Sequence, residues 1–94
     1  MFQIVPGDDG RVRLSGRFDA AEAEQVKAIL DSLQGPVIFD CAELEYVSSA
    51  GLGLLLVTYR RLKTAGHVLK FVNMMPRVRN VFTYAGLDRV LSIE

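Results

Sequence analysis

Residues 37 to 64 read VIFDCAELEYVSSAGLGLLLVTYRRLKT, and this stretch decides the fold. Val37 to Phe39, followed by Cys41, form a nearly continuous apolar run, which predicts a strand buried on both faces at the centre of a helix-covered sheet. Residues 42–47 are predicted to be a turn region. A helix is then predicted from about Ser49 to Thr64, because apolar side chains recur at helical spacing. Its apolar stripe comprises Leu52, Leu55, Leu56, Tyr59 and Leu62.

The segment upstream predicts a hairpin followed by a helix. Phe2 to Val5 and Arg11 to Ser15 are strand-like, and the Pro, Gly and Asp residues at 6–10 supply turn geometry between them. Asp19 and Glu22 have the spacing of a capping box, in which each side chain accepts a hydrogen bond from a backbone amide at the helix start. The first helix is therefore predicted to begin at this pair.

Two further strands and a third helix complete the predicted order. Gly35-Pro36 ends the first helix, Val68 to Val72 is a strand, Pro76 begins a helix that Gly86 ends, and Val90 to Ile93 is a short final strand. The first helix buries one face through Ala23, Val26, Ile29, Leu30 and Leu33. The order β-β-α-β-α-β-α-β predicts an α/β fold with a mixed, mostly parallel sheet and helices packed against it.

Composition limits the protein to one domain and a few functional classes. The chain has 94 residues, half of them hydrophobic, which predicts a single domain over residues 1–94. Eleven basic residues balance eleven acidic ones, so the cationic field of a nucleic-acid binder is missing. The longest apolar run, 54–57, is too short to cross a bilayer, and no signal peptide is visible. We therefore expect a cytoplasmic protein with no direct membrane insertion and no nucleic-acid partner.

The single cysteine and the basic end of the second helix have structural explanations. Cys41 and His67 do not make a structural zinc set, and Cys41 is expected to be a buried strand residue. Arg60, Arg61 and Lys63 lie in the last turns of the second helix, where they complement the negative end of its dipole. Neither feature requires a functional role.

The serine pair Ser48-Ser49 is the most informative polar feature. Small residues crowd this helix start, and its unpaired backbone amides favour a hydroxyl or an anion. A phosphoryl group would add about −1.5 to −2 charges, which the helix end tolerates and an apolar partner surface rejects. The alternative is that one serine simply caps the helix. Leu54 and Val57 lie off the core stripe and offer an apolar patch either to a partner or to the interior.

The sequence gives less support to an enzymatic function. Val47 stands where a hydrolase nucleophile elbow needs glycine, and Leu56 replaces the third glycine of a dinucleotide fingerprint. Asp40, Glu43 and Glu45 are three carboxylates in one short segment, but spacing alone does not make them converge, so they are expected to be solvated loop acids. The chain is predicted not to be an enzyme.

Three segments together resemble the STAS-domain family of bacterial anti-sigma factor antagonists. They are Leu14 to Asp19, which is similar to the family's glycine-x-hydrophobic-aspartate entry to the first helix, Val47 to Gly53, and Met75 to Phe82. Ala85-Gly86-Leu87 closes the third helix in the same manner. The resemblance covers nearly the whole chain, and its central segment is the most specific.

The resemblance implies a site and a set of partners. The serine two residues before the motif's first glycine, here Ser49, would be phosphorylated by a partner, and Ser48 would be the less favoured acceptor. The partner would be an anti-sigma factor serine kinase of the histidine-kinase-like ATPase type, reset by a serine phosphatase. ATP would belong to the partner, so this chain would need no cofactor. The implied partner surface comprises Asp19, Ser48, Ser49, Ala50, Gly51, Leu52, Gly53, Leu54 and Val57.

Other uses of the same fold stay open at this point. The chain also resembles the STAS subunit of lipid-transport ATP-binding-cassette systems, and a stressosome-like signalling scaffold is a third possibility. Fold similarity does not separate these, since function depends on the presented surface. A monomer and a weak dimer are both compatible with the sequence.

Overall fold

Strands and helices alternate along the chain in the predicted order. The structure is a computed structural model that describes residues 1–7 and 9–94. The elements are β1 (Gln3–Pro6), β2 (Arg11–Phe18), α1 (Ala20–Ser32), β3 (Val37–Val47), α2 (Ser49–Thr64), β4 (Leu69–Val72), α3 (Pro76–Tyr84), a 3₁₀ turn (Leu87–Arg89) and β5 (Ser92–Ile93). Among the elements of these described residues, the 3₁₀ turn is the one that was not predicted.

The strands form a five-stranded sheet in the order β1-β2-β3-β4-β5. β1 pairs antiparallel with β2, as the hairpin prediction requires, and every later pair is parallel. Parallel neighbours need a crossover between them, and α1, α2 and α3 supply the three crossovers. The predicted mixed, mostly parallel α/β fold is confirmed.

Only one face of the sheet is packed against the helices. In β3, Val37, Phe39 and Cys41 are buried, whereas Ile38 and Asp40 between them are partly exposed. Phe71 of β4 packs on Phe39 with ring centroids 5.2 Å apart, on the buried face. The prediction that β3 is buried on both faces was wrong, because the alternation of a strand sends Ile38 and Asp40 to the open face.

β3 continues through the region predicted to be a turn. Residues 42–47 are strand, and Gly16, Arg17 and Phe18 of β2 pair with Leu44, Tyr46 and Val47 respectively. The register shifts twice along this pair, so the buried residues of β3 change from a spacing of two to a spacing of three, at Cys41, Leu44 and Val47. Because a spacing of three does not follow the alternation that identifies strands in a sequence, this part of β3 was not predicted to be a strand.

The amino-terminal residues pack under the sheet's second strand. Phe2, predicted to begin β1, precedes it and stacks on Phe18 at 4.2 Å between ring centroids. Gly16 has a φ of 85°, and a β-carbon there would stand 1.8 Å from the carbonyl oxygen of Met1. Glycine is thus required for this close approach. The part of the predicted 6–10 turn at Asp8 lies outside the described residues.

α1 begins where predicted, but without a capping box. Asp19 is the N-cap in extended conformation, yet its side chain makes no capping hydrogen bond. The carboxylate of Glu22 accepts a hydrogen bond from the backbone N–H of Phe2 at 2.9 Å instead of turning back to Asp19. The capping-box prediction was wrong because the docked amino-terminal segment takes the glutamate. Ala23, Val26 and Leu30 are buried as predicted, and Ile29 is half-buried.

The carboxyl end of α1 is closed by a side chain from α2. Nη2 of Arg61 donates to the carbonyl oxygens of Leu30 at 2.9 Å and Leu33 at 2.8 Å. Carbonyls at a helix end lack partners within the helix, so this guanidinium satisfies two of them. Arg61 therefore does more than complement the dipole of its own helix.

The carboxyl-terminal third follows the prediction with shorter strands. Pro76 is the first residue of α3, and Val78 and Phe82 are the buried residues of this helix. Val68 and Val90, predicted to lie in strands, are outside β4 and β5 and are exposed. Leu91, next to β5, is buried in the core.

Candidate functional site

The site is built where β2 and β3 end side by side. Phe18 and Val47 are paired in register as the last residues of the two strands, and both are buried. The backbone N–H of Ser48 donates to the carbonyl oxygen of Phe18 at 2.8 Å. Asp19 and Ser48 therefore follow directly from two strand ends that are bonded together. Both are the N-cap residues of their helices, α1 and α2.

Ser48 has a structural task. Its Oγ accepts a hydrogen bond from the backbone N–H of Gly51 at 3.1 Å, and its carbonyl oxygen accepts from the N–H of Leu52 at 2.8 Å. The residue is extended, with φ of −84° and ψ of 170°, as an N-cap should be. The capping interpretation therefore holds for Ser48.

Ser49 differs from its neighbour in exposure and in bonding. It is the first residue of α2 and is exposed to solvent. Its hydroxyl has no hydrogen-bond partner among residues 1–7 and 9–94. The first turn of α2 holds no acidic side chain that would repel an added anion. The Ser49 hydroxyl is thus accessible at the positive end of a sixteen-residue helix.

The two glycines of the motif have opposite surroundings. Gly51 is buried, and a β-carbon there would stand 3.0 Å from Cγ2 of Val47 and 3.1 Å from two ring carbons of Phe18. Gly53 is exposed, and a β-carbon there would meet nothing within 4 Å. Gly51 therefore allows α2 to sit close on the strand ends, whereas packing within this chain does not require glycine at position 53.

The outer surface of α2 is small and partly apolar. Ala50 and Gly53 are exposed, and Val57 exposes 56% of its surface. Leu52 and Leu54 are half-buried and pack against the core. The structure therefore brings the predicted partner residues onto one helix and its N-terminal junction, with Gly51 on the inner side and the others at the edge or outside.

The three acidic residues of this segment, Asp40, Glu43 and Glu45, lie in strand β3 and not in a loop, and their carboxylates do not form a pair. Glu43 and Glu45 are exposed strand residues, and Asp40 belongs to a polar network on the open face. Oδ2 of Asp40 accepts from Nε of Arg11 at 3.3 Å, and Oδ1 accepts from Nδ2 of Asn73 at 3.2 Å and from the N–H of Ala42. The expectation of loop acids was wrong because β3 extends through them.

The network of Asp40 favours its ionised form. Partial burial opposes ionisation, but the hydrogen bonds from Asn73, Ala42 and Arg11, with the charge of Arg11, outweigh it and lower the pKa of Asp40. In the adjacent position, burial foremost and the charge of Asp40 raise the pKa of the Cys41 thiol to about 12. Cys41 is buried in β3, as predicted. Within the described part of the chain, no group of three His, Cys, Asp or Glu side chains is placed to hold a metal.

One surface feature at this junction was not predicted. Arg17 and Tyr46 are paired across β2 and β3, one position before Phe18 and Val47. The guanidinium carbon of Arg17 lies 4.4 Å from the centroid of the Tyr46 ring. The pairing depends on a register shift between the two strands, where consecutive residues Gly16 and Arg17 of β2 pair with Leu44 and Tyr46 of β3, and the sequence does not reveal this shift. A strand prediction that ended before residue 42 could not place these two side chains together.

Known proteins share both this fold and this sequence. Residues 3–92 match the family model described as "Mlab, STAS domain". BtrV of Bordetella bronchiseptica, a proposed anti-sigma factor antagonist, is 35% identical over 84 residues, covering 85% of this chain and 72% of BtrV. The anti-sigma F factor antagonist of Lysinibacillus sphaericus is 32% identical over 90 residues, covering 90% and 77%.

Solved structures agree with these sequence relatives. The anti-sigma factor antagonist SpoIIAA in its unphosphorylated form superimposes with a TM-score of 0.78 at 25% identity, covering 100% of this chain and 88% of SpoIIAA. Its phosphorylated form, from Bacillus, gives a TM-score of 0.72 at 24% identity, covering 100% and 91%.

Fold and site together define an α/β module that presents a strand-to-helix junction with an exposed serine. The chain belongs to the STAS-domain family and, within it, to the anti-sigma factor antagonists. The resemblance drawn from the three sequence segments is confirmed. Across the described residues, no helix is both long enough and apolar enough to span a bilayer.

Proposed function

We propose that this chain, as one STAS domain over residues 1–94, acts without catalysis in a partner switch controlled by Ser49. The unphosphorylated form binds an anti-sigma factor and so releases a sigma factor. The anti-sigma factor is an ATPase-type serine kinase that transfers the γ-phosphoryl group of ATP to Oγ of Ser49. The P–O bond to ADP breaks, a bond to Oγ forms, and the hydroxyl proton passes to a general base of the kinase. A serine phosphatase restores the hydroxyl.

The observation that carries this proposal is the different use of two adjacent serines. Oγ of Ser48 is occupied by the N–H of Gly51, whereas Ser49 is exposed and its hydroxyl is unbonded among the described residues. A kinase needs a hydroxyl that is accessible and whose modification does not break a hydrogen bond that stabilises the fold. Ser49 meets that need, and modification of Ser48 would cost α2 its cap.

Phosphorylation of Ser49 would change the surface more than the fold. The helix N-terminus stabilises the added negative charge, and no acidic residue in the first turn opposes it. The neighbouring surface is formed by Ala50, Gly53 and Val57, which leave room for a partner's backbone to approach closely. A bulky dianion at that surface would repel an apolar partner, which is how the switch would release it.

Asp19 contributes to the same surface in this proposal. It is half-buried at the start of α1, and its side chain does not cap that helix. The bond between Ser48 N–H and the carbonyl oxygen of Phe18 keeps Asp19 beside the start of α2. Its carboxylate is therefore available to a donor on the partner.

The relatives support this function. Curated relatives are named as antagonists of anti-sigma F and anti-sigma-B factors, and SpoIIAA is known in unphosphorylated and phosphorylated forms. We place the chain in the cytoplasm, where a sigma factor acts, as a monomer or weak dimer.

The deciding experiment is capture of partners from the native host, followed by phosphosite mapping. Wild-type chain is expected to recover an ATPase-type anti-sigma factor, and incubation with that protein and ATP is expected to phosphorylate Ser49. Ser49→Ala should still bind and should not be phosphorylated. Ser49→Asp should bind more weakly by calorimetry while staying folded, with an unfolding midpoint at least as high as that of the wild type because the helix N-terminus favours the charge.

Ser48→Ala is the matched control, because it removes the neighbouring hydroxyl and should still accept phosphate at residue 49. Phosphate on Ser48 alone would contradict the proposal. Recovery of lipid-transport subunits alone would favour the transporter function, and recovery of a large signalling assembly would favour a scaffold.

A further inference from the structure

Arg17 and Tyr46 form a cation–π pair beside the strand ends that precede Asp19 and Ser48. They are direct partners across β2 and β3, with the guanidinium carbon 4.4 Å from the ring centroid. Arg17 is exposed, and Tyr46 exposes 36% of its surface. No carboxylate in residues 1–7 or 9–94 lies within 4.0 Å of the Arg17 guanidinium. Within the described part of the chain, the cation therefore contacts an aromatic ring and no carboxylate.

The Arg17 guanidinium donates no hydrogen bond to any other residue among 1–7 and 9–94. Stacking on an aromatic face occupies the plane of a guanidinium, whereas its five N–H donors point outward from the edge. The ring also restricts the rotamers of a long side chain, so less conformational entropy is lost when a ligand binds. A fixed, planar set of donors fits a carboxylate bidentately.

The pair lies next to the two strand ends from which the switch residues follow. Arg17 precedes Asp19 by two residues, Tyr46 precedes Ser48 by two, and the bond from Ser48 N–H to the Phe18 carbonyl joins the two strand ends. Phe18 and Val47 are buried against Gly51 of α2, whereas their predecessors Arg17 and Tyr46 are exposed and contact each other, which places the pair on the side of the strand ends away from α2. A partner that covers the start of α2 meets the pair by extending over these strand ends.

We propose that Arg17, held in place by Tyr46, binds a carboxylate side chain of the anti-sigma partner and extends the interface onto the open face of the sheet. This inference rests on the proposed partner-switching function. Tyrosine and arginine are also, with tryptophan, the residue types most enriched among the residues that carry binding energy. The pair would therefore add both affinity and discrimination among anti-sigma factors that differ at one acidic position.

The test uses the anti-sigma ATPase recovered with the wild-type chain. Arg17→Ala is expected to weaken its binding roughly tenfold, as loss of a charge-assisted bidentate contact does. Arg17→Lys should recover only part of the loss, and Tyr46→Leu should weaken binding less than Arg17→Ala. Arg79→Ala, which removes an exposed arginine from α3, is the control and should bind like wild type. Unfolding midpoints of all four variants establish that each is folded.

A double-mutant cycle then locates the carboxylate. Substituting surface acids of the ATPase one at a time is expected to find one whose effect disappears in the Arg17→Ala background. If Ser49→Asp weakens binding and Arg17→Ala does not, this inference is overturned and the switch stands. If the wild-type chain recovers no anti-sigma factor, both fall. If Arg17→Ala matters only for the Ser49-phosphorylated chain, Arg17 binds the chain's own phosphate, and the assignment to a partner carboxylate is wrong.

Discussion

Gly51 lies so close to Phe18 that a β-carbon on the glycine would stand 3.1 Å from two carbons of the ring. Phe18 is fully buried and stacks on Phe2, so its ring has little freedom to withdraw. The contact sets the distance between α2 and the end of β2. It thereby fixes where the first turn of α2, and with it Ser49, stands relative to Asp19.

The two glycines of α2 are therefore expected to respond differently to alanine. Gly53→Ala should raise the free energy of unfolding by up to about 1 kcal/mol, because alanine favours a helix and its methyl group has free space. Gly51→Ala gains the same propensity but forces Phe18 or Val47 to move, and overpacking costs about 1–3 kcal/mol. Urea unfolding measures both. Equal stabilisation by the two substitutions would show that Phe18 and Val47 can move aside at little energetic cost, which would contradict the tight contact at Gly51.

Much of this arrangement was predictable from local signals. The helix bounds Ser49 and Thr64 follow from apolar spacing and a small-residue start, and Pro76 begins α3 as a proline in the first turn should. Features that depend on distant partners were not predictable. Glu22 bonds to Phe2, twenty residues away, so the local capping-box pattern misled the prediction. Spacing could not show which of Ser48 and Ser49 caps the helix. Only the hydrogen bond from the Gly51 N–H to the Ser48 hydroxyl oxygen identifies Ser48 as the cap.

The serines themselves give a second expectation, about stability. Ser48→Ala should lower the free energy of unfolding by about 1 kcal/mol, because it leaves the Gly51 amide without its cap. Ser49→Ala should change it by less than about 0.5 kcal/mol, as exposed substitutions usually do. Chemical denaturation of the two single variants makes the comparison. A larger loss at position 49 would mean that Ser49, not Ser48, stabilises the helix start.

The contact of Arg61 with α1 makes a third expectation. Arg61→Ala should destabilise the protein by about 2 kcal/mol, since one charged donor serves two carbonyls at the end of α1. Arg60→Ala is the matched control, because Arg60 is the preceding residue, is exposed, and has no bonded partner within the described chain. Hydrogen exchange should show faster exchange in the last turn of α1 in the Arg61 variant. Identical protection there in both variants would refute the capping role.

Asp40 is expected to make the stability of the protein depend on pH in the acid range, and a single substitution can test this. Its pKa in the folded state lies below the ordinary value of 3.8, so the folded protein binds fewer protons than the unfolded chain in that range. The stabilisation is fully present above about pH 4 and is lost as the pH falls through the lowered pKa of the folded state. Asp40→Asn removes this titration, because its amide cannot ionise.

The difference in unfolding free energy between wild type and Asp40→Asn is therefore expected to be largest near neutral pH and to shrink below pH 4. Urea unfolding at a series of pH values between about 2 and 7 measures it, with Glu43→Gln as a control that removes an exposed carboxylate from the same strand. Because Asn73 and Arg11 both donate to Asp40, replacing either should reduce the acid-dependent difference. A difference that stays constant with pH would show that Asp40 stabilises the fold by shape and not by charge.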